Sequence, residues 1–166
     1  MTSSSAEIRA ADTIDIQGLA WLRWRMHSEE QEPEIAQDEF VARFQTWASR
    51  SLLDERWRVW VAVVNRELIG HVYLERIDKV PRPNGSAGGW GYLTGLYVEP
   101  RFRNGGIGRR LLETAIEWAF SVGLEFIQVW PSDRSVPLYR RVGFASDDES
   151  LILRLGSAEN ERASGT

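Results

Sequence analysis

The chain of 166 residues has the length of one domain with a sizeable core, and its 43% content of hydrophobic residues argues against a disordered protein. Because it has no cysteine and only two histidines, we expect no disulfide and no metal site. The net charge of −4 argues against a nucleic-acid partner, which needs a concentrated basic surface. No apolar run is long enough to cross a bilayer, and the first residues lack the pattern of a secretory signal. We therefore expect a cytoplasmic location and no membrane partner.

Residues 1–166 contain no repeat and no linker, so we expect a single domain with disordered tails at residues 1–5 and 156–166. In chain order, the first predicted elements are a short strand at Glu7–Ala11, a helix at Asp15–His27 and a helix at Glu39–Leu53. The second helix has the clearer signal, because its apolar residues recur at spacings of three and four.

The rest of the chain begins with strands and then alternates strands with helices. The predicted order is strands at Trp57–Val64 and Leu68–Ile77 joined by a turn at Asn65-Arg66, a Pro/Gly loop at Lys79–Gly89, a strand at Tyr92–Val98, a helix at Ile107–Val122, a strand at Glu125–Trp130, a short helix at Ser135–Arg141 and a last strand at Leu151–Leu155. Gly95 inside a strand indicates a β-bulge, and Gly123 suits the position that ends the long helix. A hairpin followed by a strand–helix–strand unit predicts an α+β fold with a mixed sheet.

A glycine-rich turn precedes the helix at Ile107–Val122, in the sequence VEPRFRNGGIGRRLLE. The first turn of a helix has unpaired N–H groups and a partial positive charge, which together attract anions. Gly105, Gly106 and Gly108 lack the Cβ atoms that would keep a diphosphate away from these amides, and Arg103 and Arg109 add positive charge. The segment therefore predicts a diphosphate site.

Two other glycine-rich phosphate loops do not match this turn. A Walker A loop continues from its last glycine into Lys and then Ser or Thr, whereas Gly108 is followed by Arg109 and Arg110. The dinucleotide pattern GxGxxG fails as well, because Leu111 occupies the position of its third glycine.

Two motifs together resemble the GNAT superfamily of N-acyltransferases. Arg103-Asn104-Gly105-Gly106-Ile107-Gly108 fits the family pattern of Arg or Gln, two residues, Gly, one residue, then Gly or Ala, and Pro137–Phe144 fits its second signature, with Leu138-Tyr139 before Gly143-Phe144. The similarity extends from about Trp57 to Leu155. It implies a mixed, mostly antiparallel twisted sheet with helices on both faces, in which the strand–helix–strand unit around the long helix is splayed around the acyl-CoA.

The resemblance also implies acetyl-CoA as cofactor, transfer of its acetyl group to an amine, and the homodimer that is common among relatives. The residues that match cofactor-binding positions are the main-chain groups of Leu96, Tyr97 and Val98, the segment Arg103, Asn104, Gly105, Gly106, Ile107, Gly108 and Arg109, and the side chains of Ser132, Ser135 and Tyr139. Many relatives have Asn where this chain has Ser132, and the shorter hydroxyl puts that contact in question.

An alkyl amine with a pKa near 10.4 is only about one part in 2500 free base at pH 7, a deficit of roughly 4.6 kcal/mol, so its proton needs an acceptor. The strand at Tyr92–Val98 lacks the Glu that relatives often use as base. Candidates for the base are Glu75 on the preceding strand and Glu29, Glu30, Glu32 and Glu34 in the acidic run HSEEQEPE, which in relatives commonly borders the acceptor site. A water relay is equally open. Tyr139 matches the tyrosine that donates a proton to the departing thiolate in many relatives.

The acceptor is not determined by the motifs. Our leading interpretation is a primary amine on a small cationic molecule, drawn in by the acidic run. A protein N-terminus or a Lys side chain is the alternative within the same class of enzyme. A CoA-binding regulatory module without catalysis is a further alternative, because the strand carboxylate is missing and Ser132 replaces Asn. An aminoacyl-tRNA acceptor is disfavoured by the acidic balance.

Overall fold

The computed structural model describes residues 6–54, 56–83, 88–147 and 150–153, so the expected tails at 1–5 and 156–166 lie outside the described residues. Its elements are β1 (Glu7–Ala10), α1 (Ile16–Ser28), α2 (Gln37–Ser51), β2 (Trp57–Val64), β3 (Glu67–Asp78), β4 (Gly89–Val98), α3 (Ile107–Ser121), β5 (Leu124–Gln128) and α4 (Val136–Arg141), with 3₁₀ turns at Thr13–Asp15 and Pro100–Phe102. Of the helices in these ranges, none combines the length and the apolarity that a bilayer crossing requires.

The five strands form one sheet in the order β1-β2-β3-β4-β5. Neighbours from β1 to β4 are antiparallel, and only β4 and β5 are parallel, with α3 as the connection between them. The turn between β2 and β3 has positive φ at Asn65 (50°) and Arg66 (69°), the conformation that suits a two-residue hairpin. The predicted α+β fold with a mixed, mostly antiparallel sheet is confirmed.

Side chains alternate along each strand, so both faces of the sheet carry apolar residues. Helices pack on each of the two faces. On one face Val61 and Tyr73 pack against Leu19 of α1 and Phe44 of α2. The opposite face carries a second cluster, in which Trp60, Ala62, Val72 and Leu74 are buried with Leu111, Leu112 and Ala115 of α3. The sheet is therefore the middle layer of the fold, and its β4–β5 half lies between the two helical layers.

The structure corrects one predicted strand and two predicted strand boundaries. Leu151–Leu153 are exposed and pair with no strand of the described chain, and residues 154 and 155 lie outside the description; apolar β-forming residues do not make a strand without a pairing partner. Gly89 belongs to β4 rather than to the Pro/Gly loop, since it is paired with Asp78 of β3 and Leu124 of β5. Strand β5 ends at Gln128 rather than at the predicted Trp130, because the chain leaves the sheet after Gln128.

Candidate active site

A cleft opens where β4 and β5 separate. The two parallel strands are paired at Gly89 with Leu124, Gly91 with Ile127 and Tyr92 with Gln128, and β5 then ends while β4 continues to Val98. Within the described part of the chain, the edge of β4 beyond Tyr92 consequently has no strand beside it on this side. Backbone polar groups on that edge are available to a ligand, which is the splayed arrangement expected from the sequence.

The open part of β4 contains the β-bulge that Gly95 predicted. Tyr97 is paired with His71 and Thr94 with Tyr73, so that Gly95 and Leu96 together oppose one residue of β3. Gly95 has a φ of 61°, which favours glycine. A Cβ there would lie 2.7 Å from Nη1 of Arg23 and 2.9 Å from Cδ2 of Tyr73, so no side chain fits.

His71 of β3 stabilises the bulge by a hydrogen bond. Its Nδ1 lies 2.6 Å from the carbonyl oxygen of Gly95 and, since that oxygen only accepts, Nδ1 carries the proton. The side chain is fully buried, and burial lowers the pKa of His71 from 6.5 to about 3, which keeps the ring neutral at physiological pH. Its Nε2 has no hydrogen-bond partner among the described residues.

The direction of the backbone amides follows from the pairing beyond the bulge. The amide of Glu99 donates to the carbonyl of Ile69 at 2.8 Å, so the groups of Tyr97, two residues earlier, also point toward β3. Leu96 and Val98 therefore direct their groups toward the cleft. The carbonyl of Val98 already accepts a hydrogen bond from Nε of Arg103 at 2.8 Å. The main-chain contacts predicted for Leu96, Tyr97 and Val98 stay predictions, and all three residues line the cradle cavity.

A cavity of about 530 Å³, here the cradle cavity, lies over the N-terminus of α3. Helix α3 follows Gly106, which has a φ of 80°, and no side chain caps the free N–H groups of its first turn. A Cβ on Gly106 would meet no atom within 4 Å, whereas a Cβ on Gly108 would approach Leu138 at 3.4 Å. Bare amides beside open space are what a diphosphate requires, so the cradle fits that group.

Most of the predicted cofactor-binding residues lie in the walls of the cradle cavity. Its lining includes Leu96, Tyr97, Val98, Arg103, Asn104, Gly106, Ile107, Gly108, Arg109 and Ser135. Gly105 is not among the lining residues, and its cofactor contact stays a prediction. Arg134 and Arg141 also line the cavity, although sequence reasoning missed them. Both are distant from the glycine-rich turn along the chain, and their only sequence signal was the second motif, which Arg134 precedes and which contains Arg141.

A smaller cavity of about 310 Å³, here the inner cleft, adjoins the cradle cavity, since both are lined by Leu96, Tyr97, Arg134 and Ser135. Tyr139 of α4 also lines the inner cleft. Burial raises the pKa of Tyr139 to about 12, so its phenol is protonated at neutral pH.

Ser132 and Ser135 hold the turn that precedes α4 at the edge of the inner cleft. Their two hydroxyls are 3.1 Å apart, and Oγ of Ser135 donates to the carbonyl of Ser132 at 2.9 Å. Ser132 also lines the inner cleft, where the sequence placed it. Its assignment to the cofactor stays a prediction.

Glu29 connects the inner cleft to the cradle cavity. The hydroxyl of Tyr97 donates to Oε1 of Glu29 at 2.6 Å, and Nη2 of Arg103 donates to Oε2 at 2.7 Å. Burial favours the neutral carboxyl, but these two hydrogen bonds outweigh it and place the pKa of Glu29 below its usual value. Glu29 is therefore a weak base, and it fixes the end of α1 beside the cleft.

The candidates for the base lie in different places. Glu30 lines the inner cleft, whereas Glu75 is paired with Tyr92 and Trp57 in the sheet and is not among the lining residues. Both assignments stay predictions. The structure adds His27, which lines the inner cleft at the end of α1. Partial burial and the charge of Arg23 lower the pKa of His27 below 6.5, so its ring is neutral at pH 7.

Sequence reasoning did not consider His27 as a base, although it is the first residue of the acidic run HSEEQEPE. The available signal was that this histidine begins the segment expected to border the acceptor site. Helical phase alone does not say whether such a residue faces the cleft or the solvent, because that depends on how α1 packs on the sheet.

His71 makes the stability of the fold sensitive to acid. Its folded pKa of about 3 lies below the unfolded value of 6.5, so between these pH values the unfolded chain binds more protons. The free energy of unfolding contributed by His71 is then fully present above about pH 6.5 and decreases on acidification by up to about 1.4 kcal/mol per pH unit. We expect His71→Asn, which retains a donor toward Gly95, to have a flatter dependence in urea titrations between pH 7 and pH 4.5. An equally steep dependence in the variant would contradict this assignment.

The fold and the cleft define a class of proteins, that of the CoA-dependent acyltransferases, and comparison with known families agrees. The model of the Acetyltransferase (GNAT) family matches residues 17–144. The chain belongs to the GNAT acetyltransferase family, as its two motifs indicated, and the cofactor used by that family is acetyl-CoA. Among proteins of curated function, none matches this chain in sequence.

Solved structures support the same fold. A predicted acetyltransferase from Clostridium acetobutylicum, solved with acetyl-CoA, is 28% identical with a TM-score of 0.77, over 91% of this chain and 97% of its own. A GCN5-related N-acetyltransferase from Ralstonia eutropha is 24% identical with a TM-score of 0.74, over 92% and 100% of the two chains. Glucosamine-6-phosphate N-acetyltransferase from Arabidopsis thaliana is 17% identical with a TM-score of 0.68, over 91% and 99%. The last two likenesses concern the fold alone.

Proposed function

We propose that the chain transfers an acetyl group from acetyl-CoA to the primary amine of a small, cationic molecule. The observation that carries this proposal is the wall that the cradle cavity shares with the inner cleft, which is also lined by His27 and Tyr139. A binding module needs only the cradle. The presence of a neutral imidazole and a protonated phenol in the same cleft favours catalysis.

Binding of the cofactor is assigned to the uncapped amides at the start of α3 and to cationic side chains that line the cradle cavity. The free amides at the start of α3 hold the diphosphate, and Arg134 and Arg141 add positive charge around the cavity. When bound, acetyl-CoA supplies a thioester whose acetyl group is activated toward amines. The amides of Leu96 and Val98, on the open edge of β4, are the donors available to the pantetheine arm and to the thioester oxygen.

The amine reaches the cleft as an ammonium ion and has to lose a proton. Glu30 lines the inner cleft and attracts the cation, while His27, neutral at pH 7, accepts the proton at a ring nitrogen. A new C–N bond then forms and the C–S bond breaks. The thiolate takes a proton from Oη of Tyr139, the second proton of the attacking nitrogen restores the Tyr139 phenol, and His27 releases its proton to solvent. Each group therefore has one part in a balanced transfer whose products are an amide and free CoA.

The experiment is an assay of free thiol release with acetyl-CoA and a panel of amines, together with calorimetry of CoA binding. Thiol release that requires both the amine and the intact cleft is the expected result. Tight CoA binding without turnover of any small amine, peptide N-terminus or Lys-containing peptide would favour the regulatory module instead. Turnover of the peptides alone would favour a protein acetyltransferase.

We expect the pH dependence of kcat/KM to identify the base. In the wild type, kcat/KM should fall about tenfold per pH unit below the pKa of His27, which lies under the ordinary value of 6.5. His27→Gln should lower kcat by about 100-fold and remove this limb. Glu30→Gln is the matched variant. If it abolishes the limb while His27→Gln preserves it, Glu30 is the base.

The cytoplasmic location and the homodimer expected from the sequence stay predictions. Light scattering of the purified chain measures the second of these directly.

A further inference from the structure

A third cavity, of about 510 Å³, adjoins the inner cleft on the α1–α2 side of the sheet, and we call it the aromatic pocket. Its lining includes the rings of Phe40, Phe44, Trp47, Trp57, Tyr73 and Tyr92. Thr94 borders both the aromatic pocket and the inner cleft, so the two spaces meet at the residue before the bulge. A ligand that reaches the thioester site therefore has an apolar recess beside it, large enough for an aromatic side chain.

Arg23 is located at the junction of the two spaces. It lines the aromatic pocket, its Cζ lies 5.5 Å from the centre of the Tyr73 ring, and its Nη1 lies 2.7 Å from the position a Cβ of Gly95 would occupy. With the residues that the structure describes, Arg23 makes neither a hydrogen bond nor an ion pair. A half-buried guanidinium without an anion is costly, and its planar fork suits a carboxylate.

The charges around this junction oppose a simple cation. An ammonium ion that enters alone meets Glu30 in the inner cleft but is repelled by Arg23 next to the bulge. An amine that also carries a carboxylate satisfies both charges. Its apolar part then has the aromatic pocket in which to lie.

On the basis of the function proposed above, we infer that the acceptor is a zwitterionic amine with an apolar or aromatic side chain, of the class of the large α-amino acids. Arg23 binds its carboxylate, the aromatic pocket receives its side chain, and its amino group faces the thioester. The reacting amine is cationic, as in the function proposed above, and the carboxylate narrows that proposal to acceptors whose net charge at neutral pH is zero.

Pairs of amines that differ only in the carboxylate test this inference. Thiol release is measured with L-phenylalanine against phenethylamine and with L-tryptophan against tryptamine, and spermidine serves as a purely cationic amine. We expect kcat/KM for each amino acid to exceed that of its decarboxylated partner at least tenfold, chiefly through KM. In Arg23→Gln the ratio should fall to about one. Arg50→Gln removes the same charge from an exposed position on α2 and should leave the ratio as in the wild type.

If phenethylamine, tryptamine or spermidine has a kcat/KM equal to that of the amino acids, the inference is overturned and the acetyltransferase proposal stays intact. If no amine is turned over, the proposed function fails, and calorimetry of L-phenylalanine with the CoA-saturated protein then decides the inference. Binding that weakens at least tenfold in Arg23→Gln but not in Arg50→Gln supports it. Absence of binding to the wild type overturns it.

Discussion

Gly106→Val is expected to weaken the binding of acetyl-CoA at least tenfold, which corresponds to about 1.4 kcal/mol. Gly106 lies directly before α3 with a φ of 80°, beside amides that no side chain caps. A valine there stands in open space next to these amides, where the diphosphate has to approach, and it also strains the backbone. Isothermal titration calorimetry of the purified variant with acetyl-CoA measures the effect.

The effect of backbone strain on stability has to be distinguished from the effect on cofactor binding. A second glycine with positive φ, at the other end of α3, provides the control. Gly123 has a φ of 74° and, like Gly106, no atom within 4 Å of the position that a Cβ would occupy. Gly123→Val should therefore lose a similar amount of stability, on the order of 1–2 kcal/mol, without change in affinity. Equal affinities of the wild type and the Gly106 variant, at equal thermal stabilities of the two variants, would remove the cradle from cofactor binding.

Tyr139→Phe is the second substitution with a large expected effect, a decrease of kcat by at least tenfold with nearly unchanged affinity for acetyl-CoA. The variant retains the ring, whose centroid lies 5.3 Å from that of Phe144, and removes only the hydroxyl. That hydroxyl keeps its proton at neutral pH because burial raises its pKa to about 12. Steady-state kinetics at saturating concentrations of both substrates measure the change.

Two measurements distinguish proton donation by Tyr139 from a structural role. The thermal midpoint of Tyr139→Phe should stay close to that of the wild type, because the ring packing is preserved. The loss should appear in kcat rather than in KM for the amine, since the hydroxyl acts on the departing thiolate. An unchanged kcat, or a defect confined to KM, would remove Tyr139 from the proton transfer.

Several parts of the fold were predictable because their signals are local. The apolar face of α3 repeats at helical spacing, and the observed helix starts at the predicted Ile107 and ends one residue before the predicted Val122. Gly95 and Gly123 have the positive φ values that their positions suggested. The strand expected at Leu151–Leu155 failed for the converse reason, because strand formation depends on a partner that the local pattern does not contain.

The candidate site was predictable in its glycine-rich part and, through the second motif, at Tyr139. The glycine-rich turn and the start of α3 are consecutive residues, so the motif Arg103–Gly108 predicted that wall of the cradle cavity. The inner cleft instead combines His27 of α1 with the open edge of β4 and with Tyr139 of α4. Arg134 was missed for the same reason, since its distance from the glycine-rich turn in sequence disappears only when β5 returns beside β4.

The amino-acid sequence by itself determined the class of fold, the anion-binding turn and the family, because helical period, glycine freedom and helix-terminal amides act within a few residues of one another. Only the tertiary structure decided that His71 holds the carbonyl of Gly95, that Glu29 is occupied by Tyr97 and Arg103, and that Arg23 lies at the junction of two cavities with no ion-pair partner among the described residues. These contacts depend on strand register and on helix docking. A shift of one residue in register would turn His71 to the opposite face of the sheet, and no local pattern records that choice.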